Sequence, residues 1–191
     1  MRGLTLSSKK VIIGIVGMPG AGKSVASETA ENLGCEMVIM GDVIREEVRS
    51  RGLEPTPEIV GKTMLEIRAK EGLNAVAKKC VSKIMSFHSR CIVIDGIRSL
   101  DEVMEFKKSF PSFILIAVQA SPQIRFERLY KRKRSDDPSN WAVFLERDQR
   151  ELRVGVEKAM KIADYTITNE GSLQEFKENV ASLLKRVLSI E

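Results

Sequence analysis

Short apolar runs rich in Val and Ile alternate along the chain with longer stretches in which apolar positions recur every three or four residues. The runs at 11–16, 36–40, 91–95, 113–120 and 165–168 read as strands. The stretches at 23–33, 43–51, 58–70, 74–87, 100–108, 123–131, 141–162 and 173–188 read as helices. Ile114, Leu115 and Ile116 stand in an unbroken apolar run, the pattern of a parallel strand covered on both faces. Such alternation predicts an α/β fold with a parallel sheet and right-handed crossovers. Two places exceed simple alternation. About three helices stand between residues 40 and 91, interrupted at 52–57, and a charged turn at 133–140 divides two helices. Both read as flaps over a site at the carboxyl ends of the strands, where such sheets bind ligands. Thr56-Pro57-Glu58 reads as a helix N-cap with Pro in the first turn, and Pro138 and Ser139 precede a new helix start. Nothing repeats internally.

Between the first strand and the first helix stands Gly17-Met18-Pro19-Gly20-Ala21-Gly22-Lys23-Ser24, the pattern G-x-x-x-x-G-K-[ST] in the context it requires. Its glycines let backbone amides turn inward around phosphate oxygens, and the helix that follows adds its positive end. Lys23 is expected to reach the β- and γ-phosphates of ATP, and the Ser24 hydroxyl to ligate Mg²⁺. No N-K-x-D motif for reading a guanine base occurs.

Charge sharpens this picture. The 191 residues hold 31 Lys and Arg against 26 Asp and Glu, a net charge of +5. Residues 125–134 carry six basic side chains against Glu127 alone, a surplus equal to that of the whole chain. A general polyanion-binding surface spreads its charge more widely. The apolar runs are too short to span a bilayer, and residues 1–10 lack the apolar core of a secretory signal. Cys35, Cys80 and Cys91, scattered and odd in number, suggest neither a disulfide framework nor a zinc site, and suit a reducing cytoplasm. The lone histidine, His88, reads as a surface residue.

Further motifs flank the strands. Gly41-Asp42-Val43-Ile44-Arg45 follows the second and Asp95-Gly96-Ile97-Arg98 the third. Arg128 and Arg132 form an R-x-x-x-R after the fourth, and Arg134-Ser135-Asp136-Asp137 reads R-x-D-D. Together these resemble the adenylate kinase and nucleoside-monophosphate kinase family, in detail the archaeal adenylate-kinase-related P-loop proteins. The resemblance implies a three-layer P-loop fold with a five-stranded parallel sheet in the order 2-3-1-4-5. It implies one domain over residues 1–191, with an acceptor-binding helical flap at 42–88 and a short lid at 130–142. It further implies an ATP- and Mg²⁺-dependent kinase acting on a small nucleotide such as AMP, as a cytoplasmic monomer or dimer. In that family's pattern the loop backbone from Gly17 to Ser24 holds the donor, and Ser24 and Asp95 hold Mg²⁺. Gly41, Asp42, Arg45, Asp95, Gly96 and Arg98 form the acceptor side. Lys23, Arg98, Arg128, Arg132 and Arg134 act on the transferred group. Asp136 and Asp137 are expected to hold lid arginines or contact ribose.

The chain departs from that pattern at three points. The Asp95–Arg98 turn is one residue short and lacks a Pro, and a family Arg in the lid is replaced by Leu145, with Arg147 or Arg150 as substitutes. Asn169-Glu170-Gly171-Ser172-Leu173 instead resembles the loop of dephospho-coenzyme A kinase that lies beside adenine, which places Asn169 and Gly171 with the donor. Two further readings follow. One is phosphorylation of a hydroxyl with Asp42 as base. The other is a nucleotide-dependent switch on RNA or a ribosomal particle, suggested by the basic cluster, although Tyr130 is the one nearby aromatic able to stack on a base.

Overall fold

The structure, a computed structural model, describes residues 10–134 and 137–189. Five strands form one sheet: β1 (Val11–Val16), β2 (Glu36–Ile39), β3 (Cys91–Asp95), β4 (Phe113–Gln119) and β5 (Tyr165–Thr168). All pairings are parallel and the order is β2-β3-β1-β4-β5, as the sequence reading expects. Ile13 sits between Val93 and Ile114 in register, so the central strand is covered at both edges.

Helices α1 (Lys23–Asn32), α2 (Met40–Ser50), α3 (Pro57–Glu71), α4 (Ala75–Met85), α5 (Leu100–Ser109), α6 (Pro122–Arg132), α7 (Trp141–Val154), α8 (Val156–Lys161) and α9 (Leu173–Ser189) fill the connections. Side chains of a strand alternate between faces. Accordingly, Ile12 and Val16 enter one core with residues of α2 to α5 and α8, while Val11, Ile13 and Ile15 enter the other with α1 and α9. Gly14 makes the first core possible at its centre. A Cβ there would lie 2.6 Å from both the Ile97 Cδ1 and the Phe113 Cζ atoms. Thr56 caps α3, its hydroxyl accepting from the Ile59 amide at 3.4 Å, and Pro57 occupies the first turn as expected. Asn140 caps α7 by accepting from the Val143 amide at 3.1 Å.

Three expectations are corrected. The stretch 141–162 is two helices rather than one, because Gly155 takes φ +109 and ends α7. Helix α2 begins at Met40, so Gly41 and Asp42 lie in its first turn, where a carboxylate favours the helix dipole. Cys35 and Cys91 form a disulfide, with Cα atoms 4.6 Å apart, and Cys80 stays free and buried. Sequence spacing concealed this pair because the partners meet only when β2 lies beside β3. Glu36 pairs with Ile92, which puts the preceding cysteine of each strand side by side. Among the described residues, no helix is long and apolar enough to cross a membrane.

Candidate active site

The phosphate loop joins β1 to α1 with Gly20 at φ +80 and Gly22 at φ +110, conformations that side chains with a Cβ rarely adopt. At Gly17 space is the constraint, since a Cβ would meet the Val118 carbonyl at 2.4 Å. Lys23 folds over this loop, and its Nζ donates to the carbonyls of Gly17 at 2.7 Å and Met18 at 3.2 Å. Burial pulls its pKa down to about 8 against the pull of Asp95, with Arg98 lowering it further. Glu151 raises it and Arg147 lowers it. Four charges from β3, the turn after it and α7 therefore converge on one ammonium.

Asp95 ends β3, in register with Ile15 of β1 and Ile39 of β2, and so stands at the carboxyl edge of the sheet. Burial raises its pKa, while Lys23 and the Gly96 amide oppose the rise. The exposed Ser24 hydroxyl makes no hydrogen bond among the described residues, and no cluster there of three or more His, Cys, Asp or Glu could hold a metal unaided. One hydroxyl and one carboxylate beside a phosphate nest fit Mg²⁺, which keeps several waters and binds mainly through nucleotide phosphates.

Arg98, expected from the sequence on the acceptor side, leaves the turn between β3 and α5. Its Nη1 donates to Glu151 Oε1 at 3.1 Å, and its backbone amide donates to Glu102 Oε2 at 2.8 Å. The other oxygen of Glu102 accepts from Arg68 Nη2 of α3 at 2.7 Å. Glu102 is 1% exposed, so one buried carboxylate ties α3 to the Arg98 turn. Arg45 is arranged differently. It is ion-paired with Asp42 on its own helix, both half exposed, and is not among the charges that act most on Lys23. Arg98 is thus among the charges that act on Lys23, whereas Arg45 lies folded beside Gly41. Gly96, at φ +104, lets the turn pass Met40, whose Cβ would lie 3.4 Å from an added Cβ.

Asn169 latches the loop after β5 to the phosphate loop. Its Nδ2 donates to the Ala21 carbonyl at 2.8 Å and its Oδ1 accepts from Arg128 Nη2 at 3.0 Å. Gly22 leaves room for that amide, which a Cβ would meet at 2.3 Å. The Nη1 of Arg128 is buried without a hydrogen-bond partner, and desolvation lowers the pKa of the guanidinium. An orphaned cationic donor beside the loop fits an acceptor-rich group such as a nucleobase or phosphate. Gly171 lies in the same loop, beside Glu175 of α9.

The lid is organised by Asp137, whose side chain is 2% exposed. It accepts from Arg132 Nε at 2.9 Å and Nη2 at 2.6 Å, from the Arg134 amide at 2.9 Å and from Arg147 Nη1 at 3.3 Å. Hydrogen bonding to Arg132 foremost holds its pKa down at about 2. Ser135 and Asp136 lie outside the described residues. With Leu145 exposed, Arg147 is the α7 arginine that approaches Lys23. Glu151 and the Arg125–Asp148 pair belong to the same neighbourhood and were missed from sequence. Asp148 and Glu151 read there only as part of an amphipathic helix, and Arg125, on α6, only as a member of the basic run.

Tyr130 is also less isolated than the sequence suggests. Phe126 lies 5.7 Å from it and 5.3 Å from Trp141 between ring centres, and Tyr130 and Trp141 are exposed. One cavity, about 490 Å³, runs along the open edge of β5 against α9 and shares no residue with the Lys23 cluster. A smaller one of about 350 Å³ lies at the ends of β4 and β5 beside Met18 and Glu170.

Sheet order, phosphate loop and strand-end carboxylate define a P-loop protein with the kinase-type fold. A family model described as an AAA domain matches residues 16–144. A UPF0200 protein of Hyperthermus butylicus is 43% identical over 178 residues, covering 93% of this chain and 95% of that protein. A UPF0200/UPF0201 protein of Archaeoglobus fulgidus is 46% identical over 179 residues, and there the chain spans 55% of the relative's length. The chain belongs to this P-loop AAA-domain family and, within it, to the UPF0200 proteins. Among solved structures it is similar to a shikimate kinase from Acinetobacter baumannii in complex with shikimate (TM-score 0.59, 18% identity, 96% of each chain). It is likewise similar to a gluconokinase from Sinorhizobium meliloti (TM-score 0.56, 18% identity, 94% of each chain). At that identity the likeness is one of fold.

Proposed function

We propose that the protein is an ATP- and Mg²⁺-dependent phosphotransferase whose acceptor is a small nucleotide, a nucleoside monophosphate such as AMP. The observation that carries this reading is that Arg98, in the turn after β3, and Arg147, on α7, both act on the charge of the half-buried Lys23, which folds over the phosphate loop. A phosphate acceptor is already anionic and needs guanidinium groups rather than a base. Phosphoryl transfer is catalysed largely by positioning and charge neutralisation. In this reading the loop amides and Lys23 hold the donor phosphates, and Ser24 and Asp95 hold the metal ion. Arg98, joined by Arg45 once it leaves Asp42, pins the acceptor. Arg128, Arg132, Arg134 and Arg147 close over the transferred group. Bound Mg²⁺ supplies charge neutralisation on the phosphate oxygens.

The Asn169 latch favours a second reading, a hydroxyl acceptor as in dephospho-coenzyme A kinase, with Asp42 as base. Labelled ATP offered with AMP, CMP, UMP, GMP and dephospho-coenzyme A separates the two. Transfer to a monophosphate that survives Asp42→Asn with a modest loss supports the first. Transfer to dephospho-coenzyme A that this substitution lowers by about a hundredfold or more supports the second. RNA binding with a steep salt dependence and no transfer to any acceptor points instead to a nucleotide-dependent switch, with Tyr130 and Trp141 as the stacking surface.

A further inference from the structure

The back of the phosphate loop is held by a side chain that no motif singles out. Arg125, on α6, has 5% of its side chain exposed. Its Nη1 donates to the Pro19 carbonyl at 3.1 Å and to Asp148 Oδ1 at 2.7 Å. Its Nη2 donates to Asp148 Oδ2, and its Nε donates to the Ala120 carbonyl at 3.2 Å. The guanidinium lies 5.0 Å from the centre of the Phe144 ring. A loop whose amides turn inward to receive phosphate turns carbonyls outward, and a buried carbonyl needs a donor. Arg125 supplies that donor at Pro19. At Gly20 the contact is closer still, since a Cβ would sit 2.7 Å from the Arg125 carbonyl oxygen and 3.0 Å from Leu129 Cγ. Helix α6 therefore lies flush against the loop.

Asp148 stands on α7 between Arg147 and Glu151, the two α7 charges that act on Lys23. The planar fork of Arg125 thus grips the phosphate loop and the middle of α7 at once. A bidentate pair tolerates little change of angle, and a buried ion pair contributes defined geometry more than net stability. We propose that Arg125 and Asp148 are positioning residues that couple occupancy of the phosphate loop to the placement of α7, and hence of Arg147 and Glu151, at the site of transfer. This rests on the nucleotide-phosphotransferase reading above. Phosphate entering the nest draws Lys23 away from the Gly17 and Met18 carbonyls and re-forms the loop around itself. The Pro19 carbonyl moves with the loop, and the guanidinium passes that movement to Asp148.

The chain carries its own reporter. Its one tryptophan, Trp141, lies in the first turn of α7, with ring centres 5.0 Å from Phe144 and 5.3 Å from Phe126. The test uses the full chain, with Mg·ATP binding measured by calorimetry, Trp141 emission at saturation, and kcat and KM for ATP in phosphoryl transfer. Removing one partner strands a buried charge, so the main variant is the double substitution Arg125→Met with Asp148→Leu, in which apolar groups replace both. The isosteric Asp148→Asn decides on the same readouts if the double variant does not fold. The variant is expected to bind Mg·ATP within about threefold of wild type, yet to lose most of the emission change and about tenfold in kcat at unchanged KM for ATP. A folded variant that keeps the full emission change and kcat overturns the proposal. Wild-type protein that binds Mg·ATP without any change in emission overturns the coupling and leaves nucleotide binding intact. Wild-type protein that does not bind Mg·ATP overturns both.

Discussion

Raising the pH should weaken Mg·ATP binding through the proton on Lys23. The Lys23 ammonium donates to two carbonyls of the loop, and desolvation, with Arg98 adding to it, holds its pKa down at about 8. Bound phosphates favour the charged form, so binding must return the proton that is missing. At about pH 7 the missing fraction is about 0.1, and at about pH 9 it is about 0.9. Re-protonation at the higher pH costs about 1.4 kcal/mol, a loss of about tenfold in affinity. Calorimetry in buffers of different ionisation enthalpy reads the proton uptake directly. Lys23→Met, which has no proton to recover, should bind weakly and take up none. An uptake in the wild-type protein below about 0.2 at about pH 9 would refute the reasoning, because it would mean either an already charged lysine or no phosphate at Nζ. The same depression has a consequence for folding. Between about pH 8 and the ordinary lysine value near 10.4, the folded chain binds fewer protons than the unfolded one, so Lys23's contribution to stability rises with pH across that window.

Other outcomes follow from the structure. The Cys35–Cys91 bond closes a loop with a sequence separation of 56 that contains α2, α3 and α4. Reduction, or replacement of both cysteines by Ala, should cost up to about 4 kcal/mol by the chain-entropy estimate. The change is measured by thermal melting with and without dithiothreitol, and an unchanged melting temperature would show that the bond constrains nothing. Glu102→Ala strands Arg68 and leaves the Arg98 amide without its acceptor. It should destabilise the fold by about 3–5 kcal/mol in denaturant titrations, and a loss under about 1 kcal/mol would show that the flap is tied elsewhere.

What was legible in the sequence followed from how local each signal is. The run Gly17 to Ser24 carries its own geometry, since glycines at positive φ and the lysine directly after Gly22 act wherever the strand and helix lie. Thr56 and Pro57 likewise announced a helix start that needs no distant partner. The acceptor arginines show the limit of this. Arg45 and Arg98 stand in equally recognisable motifs, yet one is held by Asp42 three residues away and the other by Glu151, 53 residues away. Charge counting misled in a related way. Arg125 belonged to the basic run, but it is buried under α7 and already neutralised by Asp148, while Arg132 is matched by Asp137.

By itself, then, the chain's order of residues determined the alternating elements, the phosphate loop and the carboxylate at the end of the third strand, because each arises from neighbours along the backbone. Only the folded molecule decided which charges act on Lys23, that Cys35 meets Cys91, and that Arg147, Asp148 and Glu151 of α7 pair with Asp137, Arg125 and Arg98. Those pairings are made by strand register and helix packing between residues far apart in sequence, and the free energy of a buried charge depends on what surrounds it in space.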